Sequence, residues 1–201
     1  GEIFAEARQA LLTWNYMPLA GAGLVHPHFH VAPLPEATSF FKTVMDRQNR
    51  YSPDGERSIF DDLVKKEISE DRRYVGRTGS WDWLAAFAPR GIYEFWAVSE
   101  KTAAILELED AEVAELAAGL SMVTGFLHAK GIQALNMSWY SLYRLENKGL
   151  RNWVSIVPRL NLTPLGTSDS NYFDRLHAES ITFSAPEEVA VEARQFFELG
   201  R

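Results

Sequence analysis

The clearest pattern along the chain is the helical spacing of apolar residues in "DAEVAELAAGLSMVTGFLHAKG", residues 110–131. Apolar positions recur every three or four residues, Asp110 is a suitable N-cap, and Gly131 lies where a C-cap is needed. The same kind of spacing predicts four more helices, and Ser58 is a suitable N-cap for one of them. These helices span residues 2–12, 35–51, 58–73 and 184–199.

Segments rich in β-branched and aromatic residues lie between the helices and predict strands. They are residues 13–17, residues 26–32, a meander over 74–98, and a pair at 134–145 and 152–161. Because the order of elements is mixed, we predict an α+β fold with antiparallel hairpins and with helices laid on one face. A second strand-rich unit begins near Tyr74, which predicts two related units sharing one sheet or one interface.

Composition narrows the function classes. The chain has 201 residues, of which 46% are hydrophobic, so one core or two small lobes can form. A net charge of −7 disfavours nucleic-acid binding, although a local site can still bind a small anion. The lack of cysteine excludes disulfides, thiolate metal sites and cysteine nucleophiles, and it fits a cytoplasmic protein. We expect no membrane span and no signal peptide. A start at Gly1, already in a helical pattern, predicts a piece of a longer protein.

Three of the five histidines lie in "AGAGLVHPHFHVAPLP", at His26, His28 and His30. Alternate residues of a strand face the same way. The three imidazoles are therefore expected to line one face, while the apolar residues between and after them, such as Phe29, are buried on the other. Pro27 cannot donate a ladder hydrogen bond, so the strand should begin there or lie at a sheet edge.

Three uses fit this row of imidazoles. A neutral imidazole is a good nucleophile near pH 7, and a phosphoramidate on histidine stays reactive enough to pass a nucleotidyl group on. Alternating histidines can instead supply two metal ligands, but a closed zinc site needs more, and neither His128 nor His177 has a partner at a recognisable spacing. Finally, histidines can pack and hydrogen-bond in an interior. We favour catalysis and place metal binding second.

The segment "NYMPLAGAGLVHPHFHV" resembles the active-site strand of the galactose-1-phosphate uridylyltransferases, a family of the histidine-triad superfamily. Asn15, the run Gly21-Ala22-Gly23 and the run His26-Pro27-His28 match the family's Asn, small-residue loop and His-Pro-His-x-Gln motif in spacing. Later segments of the chain resemble later parts of the family, but the front part of the family's first half is missing. These segments are residues 72–100, 152–164 and 172–197.

The resemblance implies a histidine-triad-like mixed or antiparallel sheet with helices packed on it. Residues 1–56 would be the end of a first triad-like half, carrying the His-Pro-His-x-His strand, and residues 57–201 would be the second half. It also implies transfer of a nucleoside monophosphate, expected to be UMP, between a nucleotide-sugar and a sugar 1-phosphate. The enzyme would be a cytoplasmic homodimer with no nucleic-acid partner.

The resemblance also implies roles for single residues. His28 would be the covalent nucleophile, and His26 would orient it or, as in metal-bearing members, bind a structural zinc. Asn15 would form hydrogen bonds near the phosphates. The other substrate-binding residues that the resemblance implies are Gly21, Gly23, Phe173 and Asp174. The last two fall near the family's aromatic-acid pair, which contacts substrate across the dimer.

His30 is a departure, because the family has Gln at that position. Gln can hold a phosphoryl oxygen but cannot protonate a leaving group, whereas a third histidine is what the hydrolytic histidine-triad branch carries. We therefore include His30 among the predicted catalytic residues. Two further functions stay open: a hydrolase or phosphorylase acting on nucleotide diphosphate bonds, and a non-catalytic nucleotide- or metal-binding protein.

The family's metal ligands are a second departure. The residues that stand at or near those ligand positions are Ser58, Asp61, Phe41, Ile156 and Pro158. Side chains of Phe, Ile and Pro cannot bind a metal. We predict that no structural zinc or iron and no other cofactor is present, and we leave zinc at His26 open.

Other groups have simpler interpretations. Trp81, Trp83 and Trp96 are expected to pack in the core or at a dimer interface, because aromatic residues on strands are usually buried. Arg72-Arg73 is interpreted as solvated surface charge. Arg159, on the last long predicted strand, remains a candidate phosphate contact.

Overall fold

The structure is a computed structural model that describes residues 6–24, 26–143, 147, 149–162 and 167–199. The strands are β1 (Gln9–Tyr16), β2 (Phe29–Leu34), β3 (Tyr74–Thr78), β4 (Trp81–Ala85), β5 (Phe95–Thr102), β6 (Ala134–Leu142), β7 (Arg151–Arg159), β8 (Asn161–Leu162) and β9 (Thr167–Ser168). The longer helices are α1 (Ser39–Tyr51), α2 (Ile59–Glu70), α3 (Asp110–Ala129) and α4 (Pro186–Leu199).

One antiparallel sheet organises the molecule. Its seven strands follow the order β2-β1-β6-β7-β5-β4-β3, and β8 and β9 form a separate small pair. The α+β class is therefore confirmed. All eight residues of β1 pair with β6, so segments 1–56 and 57–201 contribute to one sheet. The division of the chain at residue 56 stays a prediction.

One face of the sheet is sealed by α3 and α4. Trp81, Trp83 and Phe95 point to this side and have no exposed surface. Phe126 of α3 and Phe197 of α4 pack onto them in edge-to-face and tilted contacts. We call the side of the sheet that carries these three aromatic residues the covered face. Trp81 and Trp83 thus pack in the core, as expected.

The opposite face is covered only in part, by α1 and α2. Phe41 of α1 and Phe60 of α2 pack against a second cluster that includes Tyr140 and Trp153. Helices therefore lie on both faces, and the prediction of helices on one face was wrong. All five residues of β4 are buried, so both faces of that strand need cover.

Beyond α1, the same face carries small polar side chains from three strands. Thr13 pairs with Ser138, and Ser138 with Ser155, in one row across β1, β6 and β7. Asn15 pairs with Asn136 in an adjacent row. These five residues, Thr13, Asn15, Asn136, Ser138 and Ser155, form what we call the open floor.

The N-terminal segment was assigned the wrong element by its sequence pattern. A helix was predicted over residues 2–12, but β1 begins at Gln9, and residues 1–5 lie outside the described part of the chain. Leu11 packs in the cluster below α1, while Leu12 and Trp14 pack toward the covered face. The segment forms a strand because it pairs with β2 on one side and β6 on the other, and this pairing provides partners for its backbone N–H and C=O groups.

Helix termini follow their sequence signals closely. Ser58 caps α2, as predicted, with its hydroxyl accepting from the Asp61 amide. The N-cap of α3 is Glu109, one residue before the predicted Asp110, and it forms a reciprocal capping box with Glu112. Gly131 follows the C-cap with a φ of 76°, a conformation that glycine adopts easily.

A buried ion pair fixes the far end of the sheet. Arg73 is almost fully buried, and its guanidinium donates to Glu67 on α2 at 2.6 Å and to Glu187 on α4 at 2.6 Å. The interpretation of Arg72-Arg73 as solvated surface charge was therefore wrong for Arg73, while Arg72 remains exposed beside Glu187. Among the described residues, no helix is long and apolar enough to span a membrane.

Candidate active site

The loop between β1 and the histidines begins with a tight turn that contains positive φ angles. Met17 has a φ of 71°, a short 3₁₀ turn follows at Pro18–Ala20, and Gly21 has a φ of 90°. Glycine is the residue that takes such a φ at no steric cost, so the turn accounts for Gly21. Gly23 has a negative φ and open space around its Cα. Nothing in the described chain requires glycine there.

The histidine segment enters the sheet later than predicted. β2 begins at Phe29 and is an edge strand, as Pro27 implied, so His26 and His28 precede the strand and His30 lies within it. Phe29 and Val31 were expected to be buried, but both are more than half exposed. As an edge strand, β2 has no described neighbour beyond it that would cover these side chains.

His28 is the best positioned of the three imidazoles. Its Nδ1 lies 2.7 Å from the backbone carbonyl oxygen of His26. A carbonyl oxygen only accepts, so Nδ1 must carry the proton and donate. In a neutral imidazole the other nitrogen, Nε2, then keeps its lone pair. The backbone thus fixes the tautomer that a nucleophile needs.

The three histidines do not form one row of equivalent groups. The rings of His28 and His30 meet edge to face, 4.8 Å between centroids. His30 pairs with Thr13 and so shares the face of the open floor, and His28 packs against the His30 ring. His26 is exposed, and its contact with His28 is made through its backbone rather than its imidazole.

Asn15 lies inside a hydrogen-bond network. The Nδ2 group of Asn136 donates to Asn15 Oδ1 at 2.7 Å and to the carbonyl of Ala20, in the loop before Gly21, at 2.8 Å. One side chain of β6 thus ties together the predicted phosphate-binding asparagine and the glycine loop. Asn136 was not among the residues predicted from the sequence. Its signal was the alternation of polar and apolar residues in "LNMSW".

A groove runs across the open floor. It has a volume of about 420 Å³ and is bordered by Arg90 and Tyr140 as well as by the floor residues. The hydroxyls of Thr13 and Ser138 have no hydrogen-bond partner among the described residues, and both side chains are half-buried. These hydroxyls and Asn15 are therefore available to a polar ligand.

Arg90 closes one side of the groove and was not predicted from the sequence. It reaches over the sheet from the loop between β4 and β5 and donates to Ser155 Oγ at 2.9 Å and to the buried carboxylate of Glu94 at 3.4 Å. Its guanidinium stacks on the Phe40 ring at 4.4 Å. Burial opposes the charge, but the Glu94 carboxylate and the Tyr140 hydroxyl together outweigh it and raise the pKa of Arg90. The groove therefore keeps a fixed cation.

A second cavity, of about 240 Å³, continues from the first, and Arg90, Asn136 and Val157 line both. Arg159 lies there, but the carboxylate of Asp169 accepts from its Nη2 at 2.8 Å and from its Nε at 3.0 Å. This bond raises the pKa of Arg159. Burial opposes ionisation of Asp169, yet Arg159 and the Leu160 amide together hold its pKa below the usual range. Arg159 is thus engaged within the chain.

The two predicted residues of the C-terminal segment separate in space. Asp174 lines the second cavity, and its carboxylate accepts from the Asn171 amide at 3.1 Å. Phe173 does not line that cavity; its ring packs on Tyr172, 4.3 Å between centroids. Both belong to a short π-helix, Phe173–His177.

Three residues that stand where the resemblance implies metal ligands are engaged in other contacts. Asp61 is engaged by Arg151, whose guanidinium donates to both carboxylate oxygens at 2.7 and 2.5 Å. Phe41 and Ile156 are buried in the two apolar clusters. Within the described ranges, no three His, Cys, Asp or Glu side chains converge as a metal site would require.

Comparison with known proteins shows where this architecture occurs. No family model matches the chain. A protein of Archaeoglobus fulgidus described as uncharacterized is 26% identical over 183 residues, covering 91% of this chain and 54% of its own length. The chain thus spans about half the length of that relative.

Solved structures are similar over almost the whole chain. A uridylyltransferase structure superposes with a TM-score of 0.83 at 20% identity, covering 98% of this chain and 64% of its own. An ADP-glucose phosphorylase from Arabidopsis thaliana, with bound ADP-glucose, has a TM-score of 0.78 at 16% identity, covering 94% of this chain and 59% of its own. The predicted resemblance to the uridylyltransferases is confirmed as a shared fold.

Proposed function

We propose that this chain carries the nucleophilic half of a nucleotidyltransferase site, which takes a nucleoside monophosphate from a nucleotide-sugar onto His28. The observation that carries the proposal is the bond between His28 Nδ1 and the His26 carbonyl, since it leaves the lone pair of Nε2 free. The histidine segment leads into β2, which pairs with β1, and Thr13 and Asn15 of β1 line the polar groove. The shared fold with a uridylyltransferase and an ADP-glucose phosphorylase supports it.

The chemistry balances with these groups alone. Nε2 of His28 attacks the α-phosphorus, a P–N bond forms, and the P–O bond to the sugar 1-phosphate breaks with its electron pair leaving on that phosphate. The Nδ1 proton stays hydrogen-bonded to the His26 carbonyl and stabilises the cationic ring. An oxygen of the acceptor phosphate then attacks phosphorus, and the P–N bond breaks to restore neutral His28.

Other chain groups bind rather than react. Asn15 and the hydroxyls of Thr13 and Ser138 offer donors to phosphate or sugar oxygens. Arg90 supplies positive charge at the far side of the groove. We propose UMP as the transferred group and the sugar 1-phosphate as acceptor, in a cytoplasmic homodimer with no nucleic-acid partner and no resident metal.

Phosphorolysis is the second candidate reaction, and the fold shared with an ADP-glucose phosphorylase favours it over hydrolysis. Inorganic phosphate would then replace the sugar 1-phosphate as acceptor. His30, at the position of the family's Gln, is compatible with both phosphorolysis and hydrolysis, because an imidazole beside His28 can donate a proton or hold a water.

The experiment is covalent labelling with UDP-glucose or ADP-glucose carrying radioactive phosphorus at the α-position. We expect acid-labile, base-stable label on the denatured protein, and none in His28→Ala. His26→Ala should still take up label, because its backbone carbonyl remains. His128→Ala, at an exposed histidine on α3, is the matched control and should label like the unchanged protein.

A chase of the labelled protein separates the candidates. Sugar 1-phosphate, inorganic phosphate and water alone are added in parallel, and the product that carries the label is identified. Discharge to water that is fast in the unchanged protein and slow in His30→Gln would establish hydrolysis. Absence of label with both nucleotide-sugars, in protein shown to be folded, would refute the covalent mechanism.

A further inference from the structure

Asn136 has three hydrogen-bond partners whose chemistry fixes its orientation. The Ala20 carbonyl can only accept, so the amide nitrogen of Asn136 must face it. Arg159 can only donate, and its Nη1 approaches Asn136 Oδ1 at 3.4 Å, which sets the same orientation independently. The side chain therefore cannot be turned end for end without losing both contacts.

The orientation of Asn136 determines that of Asn15. Asn136 Nδ2 donates to the neighbouring amide at 2.7 Å, so the atom of Asn15 that meets it must be the acceptor, Oδ1. The NH₂ group of Asn15 is then left without a partner among the described residues. Asn15 lines the groove, so the free group there is a donor, which suits a phosphate oxygen and not a cation.

We propose that Asn136 is a positioning residue for nucleotidyl transfer, which holds the NH₂ group of Asn15 toward the phosphate oxygens of the nucleotide-sugar and anchors the glycine loop at Ala20. This inference rests on the proposed function. Asn15 would contact the phosphate directly. Asn136 would affect the rate of transfer only by positioning Asn15 and the glycine loop.

The network extends to the C-terminal part of the chain. Arg159 joins Asn136 to Asp169, and Asp169 also accepts from the Leu160 amide at 2.8 Å. The residues that orient Asn15 are thus themselves held by a half-buried ion pair at the end of β7. Loss of Asp169 is expected to act in the same direction as loss of Asn136, and more weakly.

The test compares the rate of His28 labelling at saturating nucleotide-sugar in several variants. Asn136→Ala should slow labelling about tenfold, the value of one well-placed hydrogen bond. In Asn136→Asp the carboxylate accepts but does not donate, so Asn15 is free to turn its NH₂ group toward it, and labelling should slow at least as much. Ser141→Ala is the matched control, because Ser141 also joins β6 to β1, through Ala10, but lies away from the groove.

A double variant distinguishes a positioning role of Asn136 from a merely structural one. If Asn136 acts mainly through Asn15, then adding Asn136→Ala to Asn15→Ala should slow labelling by much less than Asn136→Ala slows the unchanged protein. Asn15→Asp, which can still accept from Asn136 but presents an oxygen to the phosphate, should be slower still. Independent, multiplying effects of the two alanine variants would overturn the positioning role, and so would an Asn15→Asp variant as fast as the unchanged protein.

The outcomes also separate this inference from the proposed function. If the unchanged protein takes no label, the function fails and the positioning role fails with it. If the unchanged protein labels on His28 and both Asn136 variants label at its rate while thermal unfolding shows them folded, the function stands and only the role of Asn136 is wrong.

Discussion

The two faces of the sheet differ in what lies on them. The covered face carries Trp81, Trp83 and Phe95, fully buried under α3 and α4. The open floor lies on the opposite face, on strands β1, β6 and β7, and it carries small polar residues. Two of them, Thr13 and Ser138, have hydroxyls without hydrogen-bond partners in the described structure. A sheet gains stability by burying apolar side chains under helices, and where the helices do not extend, polar residues of the strands stay free for a ligand.

The largest effect is expected on the covered face. Trp83→Ala removes a ring with no exposed surface and should lower the free energy of unfolding by about 3–5 kcal/mol. Phe29→Ala removes an aromatic ring that is half exposed and touches Trp14, and should cost about 1 kcal/mol. Phe29 pairs with Trp14 and so lies at the edge of the same face. Urea unfolding measures both, and equal losses would contradict the closer packing at the centre of the covered face.

A smaller effect tests how tightly α3 is packed. A Cβ at Gly119 would lie 2.2 Å from the Trp83 ring, so Gly119→Ala should destabilise the protein by about 1–3 kcal/mol. Gly125, on the same helix, has its nearest neighbour at 3.6 Å. Gly125→Ala should therefore stabilise the protein, by up to about 1 kcal/mol of helix propensity. Thermal unfolding of the pair gives the sign directly, and the same sign for both would disprove close packing at Gly119.

The smallest effect on stability is expected on the open floor. Ser138→Val replaces a hydroxyl that has no described partner, so the free energy of unfolding should change by less than about 0.5 kcal/mol. The labelling rate of His28 should fall up to about tenfold if that hydroxyl binds substrate. Ser138→Thr keeps the hydroxyl and should retain most of the rate. A variant that unfolds more easily but labels normally would mean that Ser138 serves the fold instead.

Much of the fold was readable from periodicity. The four helices and the meander of β3–β5 were predicted from local spacing and caps, although α1 begins at Ser39 rather than at 35 and α2 ends at Glu70 rather than at 73. The exception was β1, where residues that also fit a helical pattern pair with strands on both sides. Strand pairing is non-local, so a short segment with mixed signals takes the element that its neighbours in space complete.

The candidate site divides in the same way. His28, Asn15 and the glycines lie within fourteen residues of one another, and their spacing was visible in the sequence. Arg90 was not singled out, because nothing in its own segment distinguishes it from a surface position. The alternation in "LNMSW" puts Asn136 on the polar face of a strand, but it does not show what that face contacts. Asp174 lines the second cavity, whereas Phe173 packs against Tyr172, because adjacent residues of a helical turn point in different directions.

The sequence by itself determined the local chemistry: an edge segment beginning near Pro27, a histidine two residues beyond His26, and a glycine where the loop needs a positive φ. Only the tertiary structure decided which face stays open and that Asn136, 121 residues away from Asn15 along the chain, fixes that residue's amide. The physical reason is range. Periodicity and turn chemistry act over a few residues, while the partner of a strand, and so the neighbour of a side chain, is set by the packing of the whole sheet.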